Sequence, residues 1–269
     1  MNINFNFLLL GTSLSLIPQY AAAQCAVTDC LQLGYTSLKS CTGGLKCPFG
    51  EYWACPKVEE KAVLGQCTGY AKNCSIGQIL NSDGTCSTDK VSGKTPIGVV
   101  VYISGGSDKC GYAMTASPIQ TGIQWGGYGT DIPSLPNYTD WQDAITDFDV
   151  SGNMTKIIQA GNASTYPAAY AAMNYAPSAA PTSKGKWALP TAGILSSLYT
   201  NLNAINNTIS KLGGTQLTND NEHIWSSSEY DDYNAWVFCT DSGAGWGGVS
   251  SNYKDYDRSY DVVRPVLAF

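Results

Sequence analysis

The sequence predicts an α+β domain preceded by a small disulfide-rich segment, and three observations carry that prediction. Residues 96–104 (PIGVVVYIS) form a continuous β-branched run bounded by proline and by Gly105-Gly106, the pattern of a buried strand. Between that run and the apolar close at residues 262–269 (VVRPVLAF) lie segments whose apolar residues recur at helical spacing behind capping residues. Eight of the ten cysteines fall between Cys25 and Cys86, where aliphatic residues are few.

Taken in order, residues 1–23 read as a secretory signal: an apolar stretch over residues 5–17, then Pro18, then three alanines before Gln24. Residues 24–92 form a Cys-rich segment with turn signals at Cys47-Pro48, Cys55-Pro56 and Asn81-Ser-Asp-Gly84. A segment this small has little core to bury and depends on its bridges. Zinc is the rival reading, but the sequence has no C-x-x-C pair and its one histidine is His223. Residues 93–269 are expected to form the main domain.

Within it, the stretch DFDVSGN at residues 147–153 imitates the start of a calcium loop but has Ile158 where a bidentate glutamate is required. It is expected to be a turn leading into a short helix ended by Gly161. Pro167 suits the first turn of a second, alanine-rich helix. Thr191 can cap a third, on which Ile194, Leu195, Leu198, Leu202, Ile205 and Ile209 share one face until Gly213-Gly214. The closing run suits a strand with an irregularity at Pro265.

From Tyr230 to Asp261, 23 of 32 residues are Tyr, Trp, Ser, Gly, Asn or Asp. Tyrosine and tryptophan give rigid contact area at low entropic cost, while Ser, Gly and Asn give adaptable hydrogen bonding, the mixture that dominates antibody paratopes. The composition reads as a binding face. The residues expected to carry it are Asp231, Asp232, Tyr233, Asn234, Trp246, Ser250, Asn252, Tyr253, Asp255, Tyr256, Asp257 and Tyr260.

The ordered series GKWALPTAGILSSLY (185–199), WSSSEY (225–230), Ala235-Trp236 and VRPVLAF (263–269) resembles the variable proteins of diversity-generating retroelements. That resemblance implies a C-type lectin-like fold of the formylglycine-generating-enzyme branch over residues 93–269, with a variable region at about 225–269 and the first strand paired with the last. It further implies that a mutagenic reverse transcriptase exchanges Asn codons for Asp, Tyr, Ser and Gly on a fixed scaffold. The ligand would be a protein or glycan on a cell surface.

The net charge of −6 removes the attraction that nucleic-acid binding needs. No later apolar run is long enough to cross a bilayer, so a secreted, periplasmic or surface-held protein is expected. Nothing in the sequence calls for a metal or cofactor. His223 reads as structural, and Cys239 is the one cysteine near the C-terminus where the formylglycine-generating enzymes use a pair, so no enzyme is expected. Cys110 and Cys239, left over from the cluster of eight, are expected to bridge each other; the alternative leaves Cys239 a free thiol. Two functions remain at this stage: a diversified recognition protein, or a constant structural or adhesive component of the cell envelope.

Overall fold

The computed structural model describes residues 61–67, 69–105, 110–218, 222–239 and 248–269. The expected signal peptide, the cysteines from Cys25 to Cys55 and Trp246 lie outside the described residues.

The described chain is α+β, with two sheets. Its strands are β1 (Ile79–Asn81), β2 (Cys86–Ser87), β3 (Pro96–Ile103), β4 (Gly111–Met114) and β5 (Gln120–Thr121), followed by helices α1 (Trp141–Ala144), α2 (Val150–Ala160) and α3 (Pro167–Asn174). Then come β6 (Trp187–Ala188), α4 (Ala192–Thr200), α5 (Leu202–Leu212), β7 (His223–Glu229), β8 (Asn234–Phe238), β9 (Val249–Tyr253), β10 (Asp261–Val263) and β11 (Val266–Ala268). One sheet has the order β2-β1-β3-β4-β11-β6, the other β5-β10-β7-β8-β9. The main core joins the two: Val99, Val101 and Met114 from the first sheet and Ile224, Trp236, Phe238 and Val249 from the second pack with Ile194, Leu195, Leu198, Ile205 and Ile209 of the helices.

The helix starts follow from their caps. The Asp149 carboxylate accepts from the Gly152 amide at 2.9 Å and opens α2, which stops at Gly161. Asp147 beside it accepts from the Asn153 side chain at 2.7 Å, so both carboxylates serve the turn. Thr191 caps α4 through the Ile194 amide. The single long helix expected after Thr191 is two helices, because Asn201 leaves helical geometry and its side chain bonds back to the Ser197 carbonyl at 2.8 Å. Gly213, at φ 75°, ends α5 in the left-handed region.

Three further expectations are corrected. The first strand of the main domain, β3, does not pair with the last, because β4 lies between β3 and β11. β4 is a four-residue return beginning at Gly111, where an added Cβ would come within 2.3 Å of the Phe269 ring. Its brevity hid it in the sequence. Second, residue 92 is not a structural boundary: β1 pairs with β3 through Ile79 and Val99, and Lys61–Phe269 forms one compact unit.

The third correction concerns the cysteines. Cys110 is bonded to Cys67, and Cys74 to Cys86, while Cys239 is a free, buried thiol. Cys110 immediately precedes β4, and residues 65–67 run past the neighbouring strand β11, with the Gly65 amide bonded to the Ala268 carbonyl at 2.7 Å. Cys239 follows β8 in the other sheet, so a bridge to Cys110 would have to leave its own sheet. The irregularity expected at Pro265 is present: β10 belongs to one sheet and β11 to the other, and the chain crosses between them at Arg264-Pro265.

Candidate recognition face

The motif that sets the base of the face is WSSSEY, and β7 buries it completely through Glu229. Trp225 donates its indole N–H to the Ile123 carbonyl at 2.7 Å, Trp125 donates to the Ser226 carbonyl at 2.7 Å, and Trp236 to the Tyr138 carbonyl at 2.8 Å. The serines are buried struts: Ser228 Oγ donates to Asp147 at 2.6 Å and accepts from the Ala192 amide at 2.9 Å. The segments around Ile123, Asp147 and Ala192 are thereby fastened to β7, and the Tyr138 segment to β8.

Two buried ion pairs brace the same region. Arg264 reaches Glu222 at 2.7 Å and the carbonyls of Ala116 and Thr215 at 3.1 and 2.6 Å. Burial raises the Glu222 carboxyl, against the pull of Arg264. Lys254, fully buried, bonds Glu229 and the Thr130 carbonyl, with its ammonium 4.9 Å from the centre of the Trp125 ring. Burial pushes the Glu229 carboxyl up to about 7, although Lys254 opposes the shift.

Above this base the aromatic residues face water. Tyr128, Tyr233 and Tyr253 are 48%, 48% and 44% exposed. The Tyr128 ring meets Tyr233 edge-on at 5.2 Å and Tyr253 at 6.2 Å, and Tyr253 meets Tyr256 at 5.1 Å. The Arg258 guanidinium lies 3.9 Å from the Tyr256 ring centre and 4.7 Å from that of Tyr260, and Tyr260 meets the His223 ring at 4.9 Å. The result is a continuous row running from Tyr233 to His223. Desolvation within it, together with the Asp255 charge, raises the Tyr128 phenol above its usual range.

The expected residues divide by role. Asp232, Tyr233, Tyr253, Asp255 and Asp257 are exposed, and Ser250, Tyr256 and Tyr260 are half-buried at its margin. Asp231 shapes the turn before β8, accepting from the amides of Tyr233 and Asn234 at 2.8 and 2.7 Å and from the Asn234 side chain at 2.9 Å. Asn252 is corrected: it is buried, donates to Asp261 at 2.9 Å and accepts from Arg258 at 2.7 Å, so it faces away from solvent. At the end of β9 Asn252 is turned inward and Tyr253 outward, and in the turn that follows Lys254 is buried and Asp255 exposed.

Tyr128 was missed because it lies a hundred residues upstream. Its signal was local: Gly126-Gly127-Tyr128-Gly129 repeats the Tyr/Gly mixture of the C-terminal segment. Gly126, at φ 102°, approaches so closely that a Cβ would fall 2.0 Å from the Thr165 carbonyl oxygen. That approach, and the Gly129 amide bonded to the Asp232 carbonyl at 3.0 Å, set Tyr128 beside Tyr233.

A second grouping was also missed. Cys239 Sγ lies 3.8 Å from His223 Nε2, and His223 Nδ1 lies 3.4 Å from the Asp261 carboxylate. Burial opposes ionisation of Asp261, but hydrogen bonds from His223 and Arg258 outweigh it and hold the carboxyl below its usual range. Burial likewise disfavours the charged imidazole, yet Asp261 and Cys239 raise it to about 9.

Two cavities, of about 810 and 500 Å³, open elsewhere and share no lining residue with the tyrosine row. No family model matches the sequence, and no curated protein does. A solved structure of a fimbrial protein from Bacteroides ovatus is similar at 14% identity and a TM-score of 0.45, over 72% of this chain. The match covers 48% of that protein, so the chain spans about half its length.

Proposed function

We propose that this is a secreted or surface-displayed ligand-binding protein whose tyrosine row is a recognition face, built on a C-type lectin-like scaffold of the retroelement variable-protein type and diversified at its exposed positions. One observation carries the reading: Tyr128, Tyr233 and Tyr253 stand nearly half exposed, with the Tyr128 ring in contact with both of the others, while β7 is buried from Ile224 through Glu229. A protein that merely needed a solvated surface would not hold large aromatic rings there. Their cost is low if a partner covers them, since a few aromatic anchors supply most of the energy of an interface. The Tyr128 loop contributes a fixed anchor, and the segment from Asp231 to Asp257 contributes the exchangeable ones. The disulfides Cys67–Cys110 and Cys74–Cys86 suit an oxidising compartment.

The test compares the parent with the triple variant Tyr128→Ala, Tyr233→Ala, Tyr253→Ala on immobilised glycans and on purified cell-surface proteins. Binding lost at an unchanged melting temperature supports the proposal. Equal binding by both proteins places the ligand elsewhere and overturns it.

A further inference from the structure

We infer that Cys239, His223 and Asp261 form a reactive thiol site at which a low-molecular-weight disulfide exchanges onto Cys239. The residues come from β10, β7 and the position just after β8 in one sheet: Asp261 of β10 is in register with His223 of β7, and Ile224 pairs with Phe238, which brings Cys239, the next residue, beside His223. The imidazole is therefore placed by backbone pairing and not by a mobile loop. Its backbone amide is bonded to the Tyr260 carbonyl at 2.6 Å, and the Tyr260 ring packs edge-on against it.

The groups facing His223 are the Asp261 carboxylate, the Asn252 amide, the Tyr260 ring and the Cys239 thiol, with Arg258 bonded to Asp261 at 3.1 Å from behind. Asp261 stabilises a proton on the imidazole. The resulting imidazolium stabilises a thiolate on Cys239, the arrangement that activates cysteine nucleophiles. Cys239 is buried, while the His223 side chain beside it is 23% exposed. The other described cysteines, Cys67, Cys74, Cys86 and Cys110, are held in bridges and cannot compete.

The step balances. The Cys239 thiolate attacks one sulfur of R–S–S–R, the S–S bond breaks, and a Cys239–S–S–R mixed disulfide forms. RS⁻ leaves with the electron pair of the broken bond and is protonated by solvent only as far as its own acidity dictates, while His223 keeps its proton. Nothing is oxidised beyond what the incoming disulfide supplies.

The experiment follows release of a coloured thiolate from an aromatic disulfide by the folded full-length chain, between about pH 5.5 and 9.5, spanning the ordinary thiol value of about 8.5. Parent, Cys239→Ser and His223→Gln are compared, and the labelled peptide is located by mass spectrometry. The parent is expected to show one fast equivalent on Cys239, absent from Cys239→Ser, with a rate that stays level well below pH 8.5. His223→Gln is expected to slow it about tenfold at neutral pH and return the profile to that of an ordinary thiol. Identical profiles for parent and His223→Gln overturn the inference, as does the absence of label on Cys239 in the folded parent. Should His223→Gln fail to fold, a parent rate that simply follows an ordinary thiol titration overturns it as well.

Discussion

Lys254→Ala and Tyr253→Ala change neighbouring residues of the same segment, and the structure predicts opposite outcomes. Lys254 is fully buried, and its ammonium is the partner of the buried Glu229 carboxylate and of the Thr130 carbonyl. Truncation leaves Glu229 without its counter-charge, a loss worth about 3 to 5 kcal/mol for a buried pair broken on one side. For a unit of this size each kcal/mol shifts the melting temperature by about 2 to 4 °C, so Lys254→Ala should melt about 6 to 20 °C lower. Tyr253 is 44% exposed, and its truncation should stay within about 0.5 kcal/mol, or about 2 °C. The penalty of Lys254→Ala should shrink in acid, where Glu229 is protonated and needs no partner. Removing both charges, in Lys254→Met with Glu229→Leu, should recover most of the loss. Differential scanning fluorimetry on the four proteins decides it. If Lys254→Ala melts with the parent, or Tyr253→Ala falls as far as Lys254→Ala, the inward and outward assignment of this segment is wrong.

Peptide mapping under non-reducing conditions should recover Cys67 linked to Cys110 and Cys74 linked to Cys86, with no peptide joining Cys110 to Cys239; that last peptide would contradict the placement of Cys239 in the second sheet. Stability should also depend on pH through His223, whose folded value of about 9 stands above the ordinary imidazole value of 6.5. The folded protein holds the proton more tightly, so this contribution is complete below about pH 6.5 and is lost as pH rises through 9. Denaturant midpoints should fall across that window for the parent and stay flat for His223→Gln; the same slope in both would assign the effect to another group.

The sequence disclosed the elements whose signals are local. Proline at the start of α3, Thr191 at the cap of α4 and the β-branched run of β3 each act within a few residues and are where the pattern places them, whereas α2 begins at Val150, inside the stretch expected to be a turn. It did not disclose pairings between distant segments. β4 is too short to show a period, and the Cys67–Cys110 bond depends on where two loops meet. The candidate face was legible as composition, since Tyr233 and Tyr253 are exposed as expected. Composition could not separate Asn252 and Lys254 from their neighbours, because an Asn or a Lys among tyrosines and aspartates reads as surface whichever way the strand turns it. The Cys239–His223–Asp261 grouping needed three strands laid side by side, and no spacing along the chain encodes that.

The measurement that bears most directly on a diversified recognition face is deep sequencing of this gene across many isolates of its source. The account predicts amino-acid changes concentrated at the outward positions Asp232, Tyr233, Tyr253, Asp255 and Asp257. Trp225, Glu229, Trp236, Lys254, Asp261 and Arg264, whose side chains are buried, should be constant. Uniform sequence at the outward positions, or changes spread equally over outward and buried ones, would contradict it.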